Sequence, residues 1–180
     1  EVGCAGRGGC SEGVGGSGIT DQASGRFSAS AATRQALRCF TLMSKKENSL
    51  NMLLRYNKER QRNVLAKPGE HAFALVLDQL KPSFNVGKTF RSAEAFGAGA
   101  VHLVNIDAFD PAPAKGSFRK VPAFFHETFA ECYAQLSGAG YSFFLLSPEN
   151  ATSLCAAVLP EKSAFILGHE AFGFSFELQE

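Results

Sequence analysis

The sequence predicts an α/β fold, a parallel sheet with helices on both faces. Three observations carry that prediction. The body alternates short apolar runs with amphipathic segments. The apolar runs, such as Phe73-Ala74-Leu75-Val76-Leu77 and Val101-His102-Leu103-Val104, are nearly continuous, as in strands covered on both faces. Between those two runs, Asn85 to Gly97 reads as the crossover helix of a strand-helix-strand unit.

Residues 1–42 are rich in Gly, Ser and Ala, have little periodic apolar pattern and begin with Glu rather than Met, so disorder is expected there. A start at Met43 or Met52 is one reading. Another takes Arg26, Arg34 and Arg38, with no acid between them, as the end of an organelle transit peptide. Residues 43–69 form a basic segment in which Leu50, Leu53, Leu54 and Leu65 suggest an amphipathic helix over about 50–65, ended by Pro68-Gly69.

Residues 70–180 form the main domain. Strands are expected near 72–78, 100–106, 141–147 and 163–167, with helices near 86–97, 127–137 and 151–158. In the helix opening at Asn85, a rotation of about 100° per residue puts Val86, Phe90, Ala93, Phe96 and Gly97 on one side and Lys88 and Arg91 on the other. Arg91 is thereby free to meet a ligand. Phe129, Cys132, Tyr133 and Leu136 make the stripe of a core-facing helix, which Gly138 and Gly140 end. The long connection from Asp107 to Phe125, with three prolines and Lys115, Arg119 and Lys120, is a candidate functional loop.

The net charge of +1 is unevenly spread. From Lys45 to Lys67 seven basic residues face two acids, a net of +5, whereas residues 68–180 carry seven basic and twelve acidic groups, a net of −5. A basic arm on a slightly acidic domain suggests a polyanionic partner, of which nucleic acid is the commonest; a solvated helical surface is the alternative. No apolar run approaches the roughly 18–20 residues needed to cross a bilayer. The five cysteines, at 4, 10, 39, 132 and 155, form no CxxC pair and have no histidine at metal-ligand spacing, so they read as free thiols in a reducing compartment and no metal is expected. His71, His102 and His126 are expected to be structural or exposed.

Two motifs bear on chemistry. Pro82-Ser-Phe-Asn-Val-Gly87-Lys88-Thr89 fits the phosphate-loop pattern GxxxxGK[ST] except at its first position, where proline fixes φ and has no N–H to donate. Phe165-Ile-Leu-Gly168-His-Glu170-Ala-Phe-Gly173-Phe-Ser175 closes the last strand, its first glycine allowing a ligand to approach the backbone; alone, it also suits an ordinary strand-to-helix turn.

In order, Asn85-Val-Gly87-Lys-Thr-Phe-Arg91-Ser-Ala93-Glu-Ala-Phe96-Gly97 and Gly168-His169-Glu170-Ala-Phe-Gly173 resemble the first two motifs of the SpoU or TrmH family of SPOUT RNA methyltransferases, over roughly residues 72–178. Lys115-Gly116-Ser117 sits where that family carries a basic loop before its third strand. The resemblance implies a SPOUT-type α/β knot, a homodimer, and methyl transfer from S-adenosylmethionine to RNA, most often to a ribose 2′-hydroxyl of tRNA or rRNA. It implies that Arg91 is catalytic with Asn85 in support, and that Glu170 holds the family's acidic position, in a capping, hydrogen-bonding or catalytic role. Leu146, Gly168 and Gly173 would contribute to the cofactor loops. Lys88, Lys115, Arg119, Lys120, Arg60 and Arg62 are the RNA-binding candidates. His169 replaces the family's usual asparagine, which a neutral imidazole tolerates by making one hydrogen bond. The family's third motif is not found before Glu180, so the knot-forming C-terminal part is expected to be missing and the cofactor to bind poorly. A non-catalytic RNA-binding protein of the same fold is the second functional reading. The expected location is the cytoplasm, or a mitochondrion or plastid if residues 1–42 are a transit peptide.

Overall fold

A computed structural model describes residues 31–147 and 152–176, with side chains from Lys45 onward. Five parallel strands, β1 (Ala74–Asp78), β2 (Ala100–Val104), β3 (Ala123–His126), β4 (Ser142–Leu145) and β5 (Ser163–Leu167), make one sheet in the order β3-β2-β1-β5-β4. The helices are α1 (Ala31–Asn63), α2 (Phe84–Ala95) and α3 (Phe129–Gly138). β2 is buried along its whole length, and in β1 only Leu75 is not, as continuous apolar runs require.

One face of the sheet is built around aromatic rings. Val86, Phe90 and Ala93 of α2 pack with Leu77, Leu103, Phe109 and Phe118, and Tyr56 of α1 lies against Phe109 and Phe118 with ring centroids at 5.3 and 5.8 Å. Burial of Phe90 alone is worth about 1.5–3 kcal/mol. Asn63 locks α1 in place: its side-chain amide donates to the carbonyls of Phe118 and Val121, and its oxygen accepts from the N–H of Ala123 at 3.0 Å. On the other face α3 buries Cys132 and Leu136 against Val76, Val104, Ala164 and Ile166.

Local chemistry sets the helix ends. At the end of α2, Gly97 takes φ 63°, its N–H bonds the Glu94 carbonyl at 3.2 Å, and the Ala98 N–H reaches the Ala93 carbonyl at 2.8 Å, closing a Schellman motif. At the start of α3, the Thr128 hydroxyl accepts from the Glu131 N–H at 3.3 Å while Glu131 reaches back to the N–H of Glu127 at 3.1 Å.

Several expectations need correction. The helix expected over about 50–65 begins at Ala31, so residues 31–42 lie in it rather than in a disordered leader. The connection from 107 to 125 ends in a strand, β3, which sequence pattern missed because it has only two large apolar residues, Phe124 and Phe125, directly after Pro122 in a proline-rich stretch. The expected helix near 151–158 is a 3-10 turn at Leu154–Ala156, with Leu154 and Val158 exposed, so no apolar face would be buried by continuing it. Phe96 is exposed because α2 has ended before it. β2 stops at Val104, where Asn105 turns to φ 48°. The expectations for residues 1–30 fall outside the described residues.

Candidate active site

Both motifs emerge at the carboxyl ends of neighbouring central strands, β1 and β5, where functional groups gather in such sheets. The Asn85 side-chain amide donates to Glu170 Oε1 at 2.9 Å, joining two motifs 85 residues apart. Glu170 is exposed, and its carboxyl is held below the usual range first by its own backbone N–H and then by the Asn85 amide. Beside this bond lies a cavity of about 530 Å³, lined among others by Leu80, Asn85, Lys88, Leu146, Gly168 and Glu170. The structure thus brings together five of the residues singled out from sequence.

The loop after β5 closes on itself. His169 and Gly173 exchange backbone hydrogen bonds, the N–H of His169 to the Gly173 carbonyl at 2.7 Å and the N–H of Gly173 to the His169 carbonyl at 2.9 Å. A Cβ on Gly168 would lie 2.6 Å from the Gly173 oxygen, so the turn requires glycine there. The His169 ring accepts from the Ala171 N–H at 3.0 Å, using the one hydrogen bond expected of the imidazole within its own loop.

Arg91 is exposed and makes no hydrogen bond or ion pair with any described residue. Its nearest acid along the helix, Glu94, is taken by Lys120, with Nζ at 2.5 Å, and by the Ser117 hydroxyl. Those bonds hold the Glu94 carboxyl below its usual range. Arg91 does not line the cavity. By helical rotation it stands between Lys88, on the cavity side, and the flank of Gly87 and Glu94, which faces the Pro113–Lys120 loop. Lys115 and Arg119 are exposed on that loop.

The other basic candidates are engaged elsewhere. The Arg60 guanidinium sits 4.2 Å from the centroid of the Phe125 ring, and Arg62 pairs with Glu59 at 3.5 Å. Neither lines the cavity.

The phosphate-loop reading fails on geometry. Residues 84–87 are already helical, and Gly87 packs on Pro113, to which a Cβ would come within 3.0 Å. The Thr89 hydroxyl bonds the Asn85 carbonyl at 2.9 Å inside the helix, so no loop remains to wrap a phosphate.

Sequence reasoning missed Asp78. This wholly buried carboxylate at the end of β1 accepts from the Ser175 N–H at 2.6 Å and the Ser175 hydroxyl at 2.8 Å, tying the second motif's exit to the central strand. An acid closing the otherwise apolar run Ala-Leu-Val-Leu-Asp was the available signal. A larger cavity of about 890 Å³, walled by Val104, Phe129, Tyr133, Phe143 and Phe176 among others, contains none of the singled-out site residues.

A parallel sheet clad on both faces, with two polar motifs meeting at its carboxyl edge, defines an α/β fold of the SPOUT methyltransferase type. The family model described as the SpoU rRNA Methylase family matches residues 72–180, well over half the chain, and the chain belongs to that family. No curated protein matches it. Among solved structures it is similar to an rRNA methyltransferase from Sinorhizobium meliloti, with 20% identity, a TM-score of 0.53, and 59% of this chain and 43% of that one covered. It is also similar to the SpoU methyltransferase AviRb from Streptomyces viridochromogenes in complex with AdoMet, with 19% identity, a TM-score of 0.54, and 60% and 45% covered. A third structure, described as giving insights into 2-OH methylation of C/U34 on tRNA, shares 27% identity with a TM-score of 0.53, and 59% and 72% are covered. The match spans less than half the length of the first two.

Proposed function

We propose that the chain is an RNA methyltransferase that uses S-adenosylmethionine and modifies a ribose 2′-hydroxyl of tRNA or rRNA. The observation that carries this reading is the Asn85–Glu170 hydrogen bond on the wall of one cavity, with Arg91 unpaired on the same helix. The cavity suits the cofactor: Leu80, Leu146 and Leu167 give apolar walls, Asn85 and Glu170 give polar groups, and about 530 Å³ is within the range of small-molecule sites. Leu146 and Gly168 would hold the cofactor, with Gly173 fixing the Gly168 turn, and the bound cofactor supplies an electrophilic methyl group on sulfur.

Arg91 acts as a cation. Guanidinium stays protonated in proteins, so it serves by a bidentate grip on a substrate phosphate that aligns the 2′-hydroxyl, and its charge stabilises the developing alkoxide. The proton of the hydroxyl passes to that phosphate or to water. Asn85 and Glu170 position each other and keep the two loops in register. Lys88, Lys115 and Arg119 draw in the RNA backbone, which makes binding dependent on salt. Lys120 neutralises Glu94 beside that path. Exposed Phe84, Phe96 and Phe172 are apolar groups that a homodimer would cover.

The test is calorimetric titration of the chain with S-adenosylmethionine, followed by transfer of labelled methyl to tRNA and rRNA and analysis of the nucleosides. Weak but saturable binding, with 2′-O-methylated product, is expected. Base methylation would overturn the ribose assignment, and absence of cofactor binding would overturn the enzyme reading for this chain.

A further inference from the structure

We propose that His102, His126 and Cys132 form a binding site for one transition-metal ion of the zinc class. One ring nitrogen from each histidine and the Cys132 sulfur all lie within 4.8 Å of one another. They come from three elements, β2, β3 and α3, that the fold brings to the sheet face opposite α2. In the β2–β3 register His102 lies opposite Phe124 and Val104 opposite His126, so the two histidines are two positions apart and share a face. α3, started by the Thr128 cap, lowers Cys132 onto them.

The distances suit coordination. His102 Nδ1 and His126 Nε2 are 3.0 Å apart with rings nearly parallel. Metal–nitrogen bonds of about 2.0–2.1 Å in a tetrahedral site put two nitrogens about 3.3 Å apart, so an ion would replace the ring-to-ring hydrogen bond once the nitrogens part by a few tenths of an ångström and each ring turns by roughly 35° to aim at it. Two imidazoles and a thiolate select zinc-like ions over magnesium or calcium, and three protein ligands leave a fourth position for water. His102 and Cys132 are buried, but His102 also borders an outer cavity of about 460 Å³ with Phe124 and Leu136, which gives an entry path.

The proton balance is simple. The proton shared between the rings moves to the other nitrogen of its own imidazole, and the Cys132 thiol proton leaves to solvent as the metal–sulfur bond forms. One proton is released per ion bound. Such a site would clip the edge strand β3 to α3 and does not depend on Arg91 chemistry.

The full chain, stripped of metal, is titrated with cobalt(II) and then with zinc(II). The expected result is one equivalent per chain, visible bands of tetrahedral cobalt and a near-ultraviolet thiolate-to-cobalt band, all displaced by zinc. Cys132→Ser should lose the thiolate band, while Cys155→Ser, which alters an exposed cysteine, should keep it. His126→Ala should weaken binding on the order of 100-fold, and one unit of pH should strengthen wild-type binding about tenfold. If Cys132→Ser fails to fold, His126→Ala decides, because His126 is only partly buried on an edge strand. No stoichiometric binding, or wild-type bands in either Cys132→Ser or His126→Ala, would show that the trio is only a packed histidine pair beside a core thiol.

Discussion

The two faces of the sheet use their polar residues in opposite ways. On the α2 face the core is apolar and aromatic, Phe90, Phe109, Phe118 and Tyr56, and the polar groups Asn85, Lys88 and Arg91 stand on the outer side of the helix, where ligands can reach them. On the α3 face the polar groups His102 and Cys132 lie inside, and Asp78 is buried at the same sheet's carboxyl edge. Charge on the first face is available for recognition. On the second it is suppressed: burial, then the neighbouring His126, pushes the His102 pKa down to about 4, and burial, then Asp78, pushes the Cys132 thiol up to about 12. Substitutions on the α2 face should therefore change activity with little change in stability, and those on the α3 face the reverse.

The largest expected effect is that of Arg91→Ala. Loss of a charge-assisted bidentate grip on the transition state should lower methyl transfer by about 10²–10³-fold, with the thermal midpoint unchanged within error. Arg91→Lys should not restore the rate, because an ammonium lacks the planar fork. Wild-type turnover in Arg91→Ala would erase the division between the faces at once.

On the opposite face the largest effect is one of pH. In the metal-free protein the folded His102 binds its proton only near pH 4, while the unfolded chain binds it near 6.5. The unfolded state therefore holds more protons between those values. The stability that neutral His102 supplies is complete above about pH 6.5, falls as pH drops, and is gone below about 4, a change on the order of 3 kcal/mol. Urea midpoints measured across that window should decline in the wild type and flatten in His102→Phe. Parallel curves for the two proteins would contradict the burial of a neutral ring.

Asp78→Ala comes next. It removes the charged acceptor of the Ser175 N–H and hydroxyl and empties a buried position, which should cost about 1–3 kcal/mol and speed hydrogen exchange at the Ser175 amide. Because the second motif leaves β5 through this tether, cofactor affinity should fall too, so Asp78 is where the two faces couple.

What could be read from sequence follows from this division. The strands β1, β2 and β5 were legible because a strand covered on both faces is continuously apolar, β4 because the run Tyr141-Ser-Phe-Phe-Leu-Leu146 follows the glycines that end α3, and α2 because its buried and exposed residues separate at the helical period. β3 was not, since Ala123-Phe-Phe-His126 holds only two large apolar residues and follows Pro122 at the end of a proline-rich connection that reads as loop. Asn85, Lys88, Leu146, Gly168 and Glu170 were found through their motifs, and they share one cavity. Asp78 lies 97 residues from Ser175, and His102 lies 24 from His126, which is six from Cys132; these groups were missed because their members sit on separate elements that only strand register and helix packing bring together. Spacing rules for metal ligands look for close pairs in sequence, and this trio has only His126 and Cys132, six residues apart on separate elements.

The smallest effect concerns the basic segment, where net charge and usable charge part company. Seven basic residues between Lys45 and Lys67 suggest an RNA-binding arm. In the folded chain Arg60 lies over the Phe125 ring and Arg62 is paired with Glu59, whereas Lys115 and Arg119 stand exposed on the loop beside Arg91. An arginine stacked on an aromatic ring at a partly exposed site is worth about 0.5–1 kcal/mol to the fold, and its charge is partly used there. Arg60→Ala should therefore cost about that much stability and change RNA affinity less than Lys115→Ala does. The slope of log affinity against log salt, measured for both variants, separates the cases: removing one cation from a phosphate lowers it by about one for duplex RNA or DNA and somewhat less for single strands. A larger drop in slope for Arg60→Ala would move the RNA path onto α1, away from the α2 face.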